Sequence, residues 1–191
     1  AVTGEGICIG LNYKTSSSVH PKTARSKELI KMIADEVRSH RELKSIPFTS
    51  IQSSHNTVSA SHTDNNLIGT PSIAIGLGDY VGGRLRIDGA KQPLHIRDHA
   101  LVFDGRRPHS SGKLNGDRWP LVLFAHASWG FISDDMATQL TELRLTCPAQ
   151  RGPTQVAVPA ADVSVPSQEG PNVDADIPPR AEDPQRILRG R

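Results

Sequence analysis

Hydrophobic and polar positions change rhythm along this chain. Over residues 23–40 the apolar side chains fall at Leu29, Ile30, Ile33, Ala34 and Val37, with charged residues between them. Spacing of three and four predicts a helix whose apolar stripe covers the back of a sheet. Ahead of it, residues 6–11 read as a short strand and the hydroxyl-rich stretch 14–23 as a loop. From Ile46 onward the rhythm shortens. Seven β-like pieces, 46–52, 57–61, 72–77, 84–87, 93–96, 100–103 and 118–126, stand between turn-forming residues with no helix among them. Such a succession predicts a mainly β, antiparallel sandwich or barrel of the jelly-roll type, with one or two flanking helices. The second helix is expected at 136–145, because Ser133-Asp134-Asp135 supplies a capping hydroxyl and then acids at the positive end of the dipole.

Composition divides the chain. Of its 191 residues, eight of the 14 prolines follow residue 147, and all eight aromatics precede it. The expectation is a domain over residues 1–147 and a disordered Pro/Ala-rich tail over 148–191, too poor in apolar surface to offset its ordering entropy. Charge nearly cancels at +2; the tail holds five basic and six acidic residues, which leaves the domain 17 and 14. That is too small an excess to mark a nucleic-acid binder by charge alone.

The longest apolar run, 121–125, is far short of the roughly 20 residues of a membrane span, so no membrane partner is expected. No basic-then-apolar leader opens the chain, and its first residue is Ala1 in place of Met, as when the start lies upstream. Cys8 and Cys147, at opposite ends of the domain, form no disulfide framework and read as inert. Their scarcity favours a reducing, intracellular setting, nuclear and cytoplasmic not being distinguishable.

The chemistry gathers in four residues. His62 and Asp64 stand two apart, so an extended chain points both to one side while Thr63 turns away. His109 follows 47 residues after His62, and Arg118 nine residues after that. Two imidazole nitrogens and one carboxylate oxygen on one face are the ligand set of non-haem Fe(II), with open positions opposite. A guanidinium beside such a site can hold a carboxylate through two parallel hydrogen bonds.

Around these residues the order of motifs becomes specific. His62-Thr-Asp64-Asn-Asn66, Gly69-Thr-Pro-Ser72 and Gly78-Asp-Tyr-Val-Gly-Gly83-Arg-Leu85 come first, then Phe103-Asp-Gly-Arg-Arg-Pro-His109 and Gly116-Asp-Arg118-Trp-Pro-Leu-Val-Leu-Phe. Together, over roughly residues 46–127, they resemble the iron(II)/2-oxoglutarate dioxygenases, nearest to the thymine- and methylcytosine-oxidising (TET/JBP-like) and prolyl-hydroxylase-like branches. The resemblance implies a double-stranded β-helix, iron held by His62, Asp64 and His109, and Arg118 gripping the distal carboxylate of 2-oxoglutarate. It implies O2 as co-substrate, succinate as co-product, and hydroxylation of a substrate C–H bond. Asn56 and Tyr80 are candidates to touch the co-substrate from neighbouring strands. One departure bears on co-substrate affinity: many relatives carry a hydroxyl residue two positions after the arginine, where this chain has Pro120, so that either the affinity is lower or another group substitutes.

Other readings compete. The glycines from Gly76 to Gly83 suggest a nucleotide loop, but the alternating Arg84-Leu-Arg-Ile that follows makes a β-turn between strands the better reading. Of the remaining histidines, His55 and His95 are the best placed to stand behind the ligands. Ligands alone do not name the metal, so a non-catalytic metal-binding jelly roll acting as an interaction module remains an alternative. Substrate identity is the weakest inference. Between residues 84 and 118 eight basic residues face four acidic ones, which slightly favours a nucleic-acid base over a prolyl-type protein substrate.

Overall fold

The apolar stripe over 23–40 does fold as a helix, with a tighter first turn. The computed structural model describes residues 2–3, 6–12, 18–19 and 21–149; the tail expected from residue 148 lies almost wholly outside them. Strands β1 (Val2–Thr3), β2 (Gly6–Asn12) and β3 (Ser18–Val19) precede a 3-10 segment (Pro21–Ser26) and α1 (Lys27–Ser39). Regular α geometry begins only at Lys27. The buried Thr23 hydroxyl is committed elsewhere, accepting the Gly10 N–H at 2.9 Å and tying the segment to β2. Part of the expected loop over 14–23 is therefore β3 and 3-10 turn, and the rest lies outside the described residues.

Then come β4 (Ser50–Ser54), β5 (Val58–Ser59), β6 (Ser72–Leu77), β7 (Tyr80–Gly82), β8 (Leu85–Ile87) and β9 (Ala100–Phe103). After them follow β10 (His109–Ser111), β11 (Leu114–Gly116), β12 (Trp119–Phe124), a 3-10 segment (Ala127–Phe131) and α2 (Asp134–Glu142). Ser133 caps α2 as expected, accepting the Met136 N–H, but the helix ends at Glu142, three residues early.

The strands alternate between two facing sheets. β3-β2-β4-β12-β6-β9 form the larger one, all antiparallel. Opposite it, β5 leads to a bridge between His62 and His109, β10 pairs with β8, and β8 is bridged by Leu94. With the β7–β11 pair set aside and the Leu94 bridge counted, successive segments from β4 to β12 fall in the larger, smaller, larger, smaller, smaller, larger, smaller and larger sheet. That is the winding of a double-stranded β-helix, and the mainly β jelly roll expected from the sequence is the fold observed.

Three expected strands shrink, the piece at 57–61 to Val58–Ser59. Residues 46–49 are not strand: Phe48 and Thr49 N–H groups bond to Thr146 and Phe124 carbonyls, and the fully buried Phe48 ring is a plug between α1 and the sheet. The piece at 93–96 is reduced to the single Leu85–Leu94 bridge, for Pro93 has no N–H to extend the ladder.

Side-chain alternation divides the core. Leu121 and Leu123 of β12, with Ile51 and Ile73, face outward onto Ile30, Ala34 and Val37 of α1 and Leu140 of α2. The opposite face lines the jelly-roll interior, where Ala74, Leu85, Ile96, Leu101 and Phe103 form a second, smaller core. Burying each large aliphatic chain contributes about 1.5–3 kcal/mol, so the helix side carries most of the apolar stabilisation. The interior is left with room for polar groups.

Candidate metal centre and carboxylate pocket

His62 and His109 are direct cross-strand neighbours. Each backbone N–H donates to the other's carbonyl, at 2.9 and 2.8 Å, and a pair closed this way places both side chains on one face. The imidazole centroids stand 4.4 Å apart. Both rings are also fixed in tautomer. His62 Nδ1–H donates to Ala60 O at 2.8 Å and His109 Nδ1–H to Arg107 O at 2.9 Å. A carbonyl only accepts, so the proton sits on Nδ1 and the Nε2 lone pair is free in each neutral ring.

Both Nε2 atoms face one carboxylate. His62 Nε2 lies 3.7 Å from Asp64 Oδ1, and His109 Nε2 lies 3.7 Å from Asp64 Oδ2. The three donor atoms lie within 4.8 Å of one another, the one such cluster among the described residues. Two ligands at about 2.1 Å from a common ion and at right angles to it stand about 3 Å apart, so a small inward closure would seat a divalent ion. His109 is buried at 5 % exposure and walled edge-on by Phe103, whereas His62 and Asp64 are part-exposed. Solvent access on that side leaves coordination positions open. Burial raises the Asp64 pKa, and His109, His62 and the Asn66 amide each pull it back. A divalent cation would relieve the cost of that desolvated charge.

Arg118 occupies a second polar hole. Its side chain is among the most buried in the protein, yet no carboxylate pairs with it among the described residues. Nη1 donates to Gly83 O at 2.7 Å and Nη2 to Thr57 O, while Nε–H has no partner. Burial lowers its pKa, and only Tyr80 opposes. The Tyr80 hydroxyl is likewise buried without a partner, on a ring 5.8 Å from the guanidinium. A buried cation and two orphan donors in one place are the complement of an anion.

Two glycines make that room. A Cβ at Gly83 would stand 2.6 Å from Arg118 Nη1, and the Tyr80 hydroxyl fills the space a Cβ at Gly76 would need. Gly76 is the register partner of Pro120. The phenol thus stands across from the position where the sequence lacks a hydroxyl.

Asn56 holds the Arg118 backbone. With φ at +48°, a region Asn tolerates, it clamps the Arg118 backbone: its N–H donates to Arg118 O at 2.9 Å and its Oδ1 accepts the Arg118 N–H at 2.7 Å. Its carbonyl oxygen is thereby spent on positioning the arginine.

Neither outlying histidine reaches the triad. His55 stacks on Trp119 at 4.2 Å and pairs with Asp117 at 2.5 Å; His95 stacks on His99. The expectation that they stand behind the ligands is therefore corrected. Sequence reasoning overlooked Asn66, although residues 62, 64 and 66 share one face by the rule that picked the first two. Along Arg86, Lys91, Arg106, Arg107 and Lys113, all exposed, no ion pair forms among the described residues, whereas Lys31, Arg38 and Arg144 are paired with acids of α1. No helix of the described residues is long and apolar enough to cross a membrane.

No family model matches the chain, and no curated protein does. Among solved structures, that of OsALKBH1 is similar at 12% identity and a TM-score of 0.39, covering 64% of this chain and 80% of that one. A 2OG-Fe(II) oxygenase family oxidoreductase from Burkholderia pseudomallei is similar at 14% identity and a TM-score of 0.41, covering 66% and 70%. Likenesses this slight concern the course of the chain and not its chemistry.

Proposed function

We propose that this protein is an Fe(II)- and 2-oxoglutarate-dependent oxygenase. The observation that carries the reading is the pairing of two sites in one jelly-roll interior: a His-Asp-His cluster with both Nε2 lone pairs free, and a buried, uncompensated Arg118. His62, Asp64 and His109 hold the metal. Arg118 Nε and the Tyr80 hydroxyl receive the distal carboxylate of the co-substrate, and Asn56 fixes the arginine backbone beneath it.

Iron bound there supplies oxygen activation, in which O2 and 2-oxoglutarate yield succinate and CO2 and a substrate C–H becomes C–OH. The protein's own residues orient and exclude. Phe103 walls the site with apolar surface, and the backbone-bonded imidazoles turn Nε2 toward the metal. Gly83 and Thr57 carbonyls hold the guanidinium plane, which leaves its Nε edge to the ligand.

For the substrate, the exposed cations at Arg86, Arg106 and Arg107 favour a polyanion, and so a nucleic-acid base over a prolyl-type protein substrate. Arg106 and Arg107 directly precede the loop into His109, donating to Asn66 and Asp88 carbonyls. Pro120 supports the second reading, a catalytically silent metal-binding barrel, and the Tyr80 hydroxyl answers it. Succinate formation from 2-oxoglutarate, with added Fe(II) and air, tests the choice. Turnover that disappears in Asp64→Ala is the expected result; iron-loaded, folded protein without succinate would leave the silent barrel.

A further inference from the structure

The two imidazoles take their orientation from backbone carbonyls, but Asp64 has no such support. Its carboxylate lies beside the Asn66 amide: the space a Cβ at Gly105 would fill borders both Asp64 Oδ2 and Asn66 Nδ2, and the amide favours the charged carboxylate. Asn66 is 2% exposed, and its Nδ2 also donates to the fully buried Ser72 Oγ at 2.9 Å. Chemistry fixes the sense of that amide, since the flipped form would set Oδ1 against the carboxylate. The Asn66 backbone is held as well: it bridges to His126, and its carbonyl accepts Arg106 Nη1 at 3.0 Å.

Gly105 roofs this group. A Cβ there would stand 2.6 Å from Asn66 Nδ2, 2.9 Å from Asp64 Oδ2 and 3.0 Å from Ser72 Oγ, all tighter than ordinary contact. Gly105 is not one of the glycines with left-handed φ, so its backbone does not require glycine. The missing side chain answers to packing: the carboxylate, the amide and the hydroxyl occupy its place. The Gly105 carbonyl meanwhile accepts the Asp64 N–H at 2.8 Å, so roof and ligand are registered to each other.

We infer that Asn66 is a positioning residue which, anchored by Ser72 and roofed by Gly105, selects the Asp64 rotamer that turns its two oxygens toward the Nε2 atoms of His62 and His109. This rests on the reading of the triad as a metal site. Without the amide the carboxylate regains rotation toward the solvent-exposed side, and the metal must order it on binding. Partners standing behind metal ligands typically change affinity by about 10–100-fold when removed.

The experiment is a Mn(II) titration by calorimetry of the full chain and of Asn66→Ala, Gly105→Ala, Ser72→Ala and Asp64→Ala. The thermal midpoint of each is recorded in chelator and at saturating Mn(II). Expected are a loss of about 10–100-fold in Mn(II) affinity for Asn66→Ala and for Gly105→Ala, a smaller loss for Ser72→Ala, and none detectable for Asp64→Ala. The metal-dependent rise in midpoint should shrink in the same order, a change that a purely structural role for Asn66 would not produce. Wild-type affinity in folded Asn66→Ala and Gly105→Ala, with binding lost in Asp64→Ala, overturns the inference and spares the metal site. Unaltered affinity in Asp64→Ala overturns the metal site itself. Should Asn66→Ala not fold, Ser72→Ala decides, since it removes the anchor of the amide and no ligand: wild-type Mn(II) affinity there overturns the inference.

Discussion

Replacing Arg118 with Met separates what a buried cation does for the fold from what it does for a ligand. In the absence of ligand, the guanidinium makes two hydrogen bonds to the Gly83 and Thr57 carbonyls and leaves Nε unsatisfied. Charge-assisted bonds contribute about 1.5–3 kcal/mol each, so the substitution forgoes about 3–6 kcal/mol. Against this stands the several kcal/mol needed to desolvate an ion that no carboxylate compensates, together with about 1–3 kcal/mol for the orphan donor. The opposing quantities are of similar size. Met is close in length and fills the space, so ligand-free stability should change by less than about 2 kcal/mol, or roughly 4–8 °C in the midpoint. Binding should respond quite differently. Removing one partner of a buried charge pair costs about 2–5 kcal/mol, which is a loss of at least about 30-fold in 2-oxoglutarate affinity. Thermal unfolding in chelator and calorimetric titration of 2-oxoglutarate into Mn(II)-loaded protein read the two effects separately. A variant that is destabilised by more than about 4 kcal/mol yet binds 2-oxoglutarate normally would refute the reasoning and make Arg118 a structural residue.

Tyr80→Phe removes a buried, unpartnered hydroxyl, so chelator-treated protein should be as stable as wild type or more so, by up to about 1 kcal/mol, while 2-oxoglutarate affinity falls; calorimetry and thermal unfolding check both. Gly83→Ala meets two obstacles, φ at +64° and Arg118 Nη1 at 2.6 Å, and should lower both stability and 2-oxoglutarate affinity in the same measurements. Burial pushes the Cys8 thiol up to about 11, so it should resist alkylation at pH 8 until the protein unfolds. The sign for stability follows: the folded thiol keeps its proton where the unfolded one ionises, so this contribution is full below about pH 9 and is lost toward pH 11. Denaturant titrations of wild type and Cys8→Ala across that window should converge in slope below pH 9 and diverge above it.

The sequence disclosed the elements that alternate and concealed those that do not. The outer core was legible because Leu121, Leu123 and the α1 stripe repeat with the period of their elements. β7, β10 and β11 were not, for Tyr80–Gly82, His109–Ser111 and Leu114–Gly116 are three residues each, polar or glycine-bearing, and held by pairing rather than by an apolar face. The His62–Asp64–His109 cluster followed from spacing and residue type, and the geometry brings the three together. What surrounds it was hidden. Whether Asn56 aims its oxygen at a ligand or at a backbone N–H depends on the loop that carries it, and Gly105 can be understood only with the carboxylate beside it. The Tyr80 hydroxyl lies over Gly76, the register partner of Pro120, a relation that exists in the pairing of β6 and β12 and in no local motif.

The central claim is that one interior holds both a metal and a dicarboxylic co-substrate. Anaerobic addition of Fe(II) and then 2-oxoglutarate, followed by visible absorption, tests it most directly, because a charge-transfer band requires the keto acid on the iron. The account predicts a weak band that saturates with 2-oxoglutarate in wild type, demands more 2-oxoglutarate in Arg118→Met, and is absent from Asp64→Ala. Folded, iron-loaded wild-type protein that shows no such band at saturating 2-oxoglutarate would contradict it.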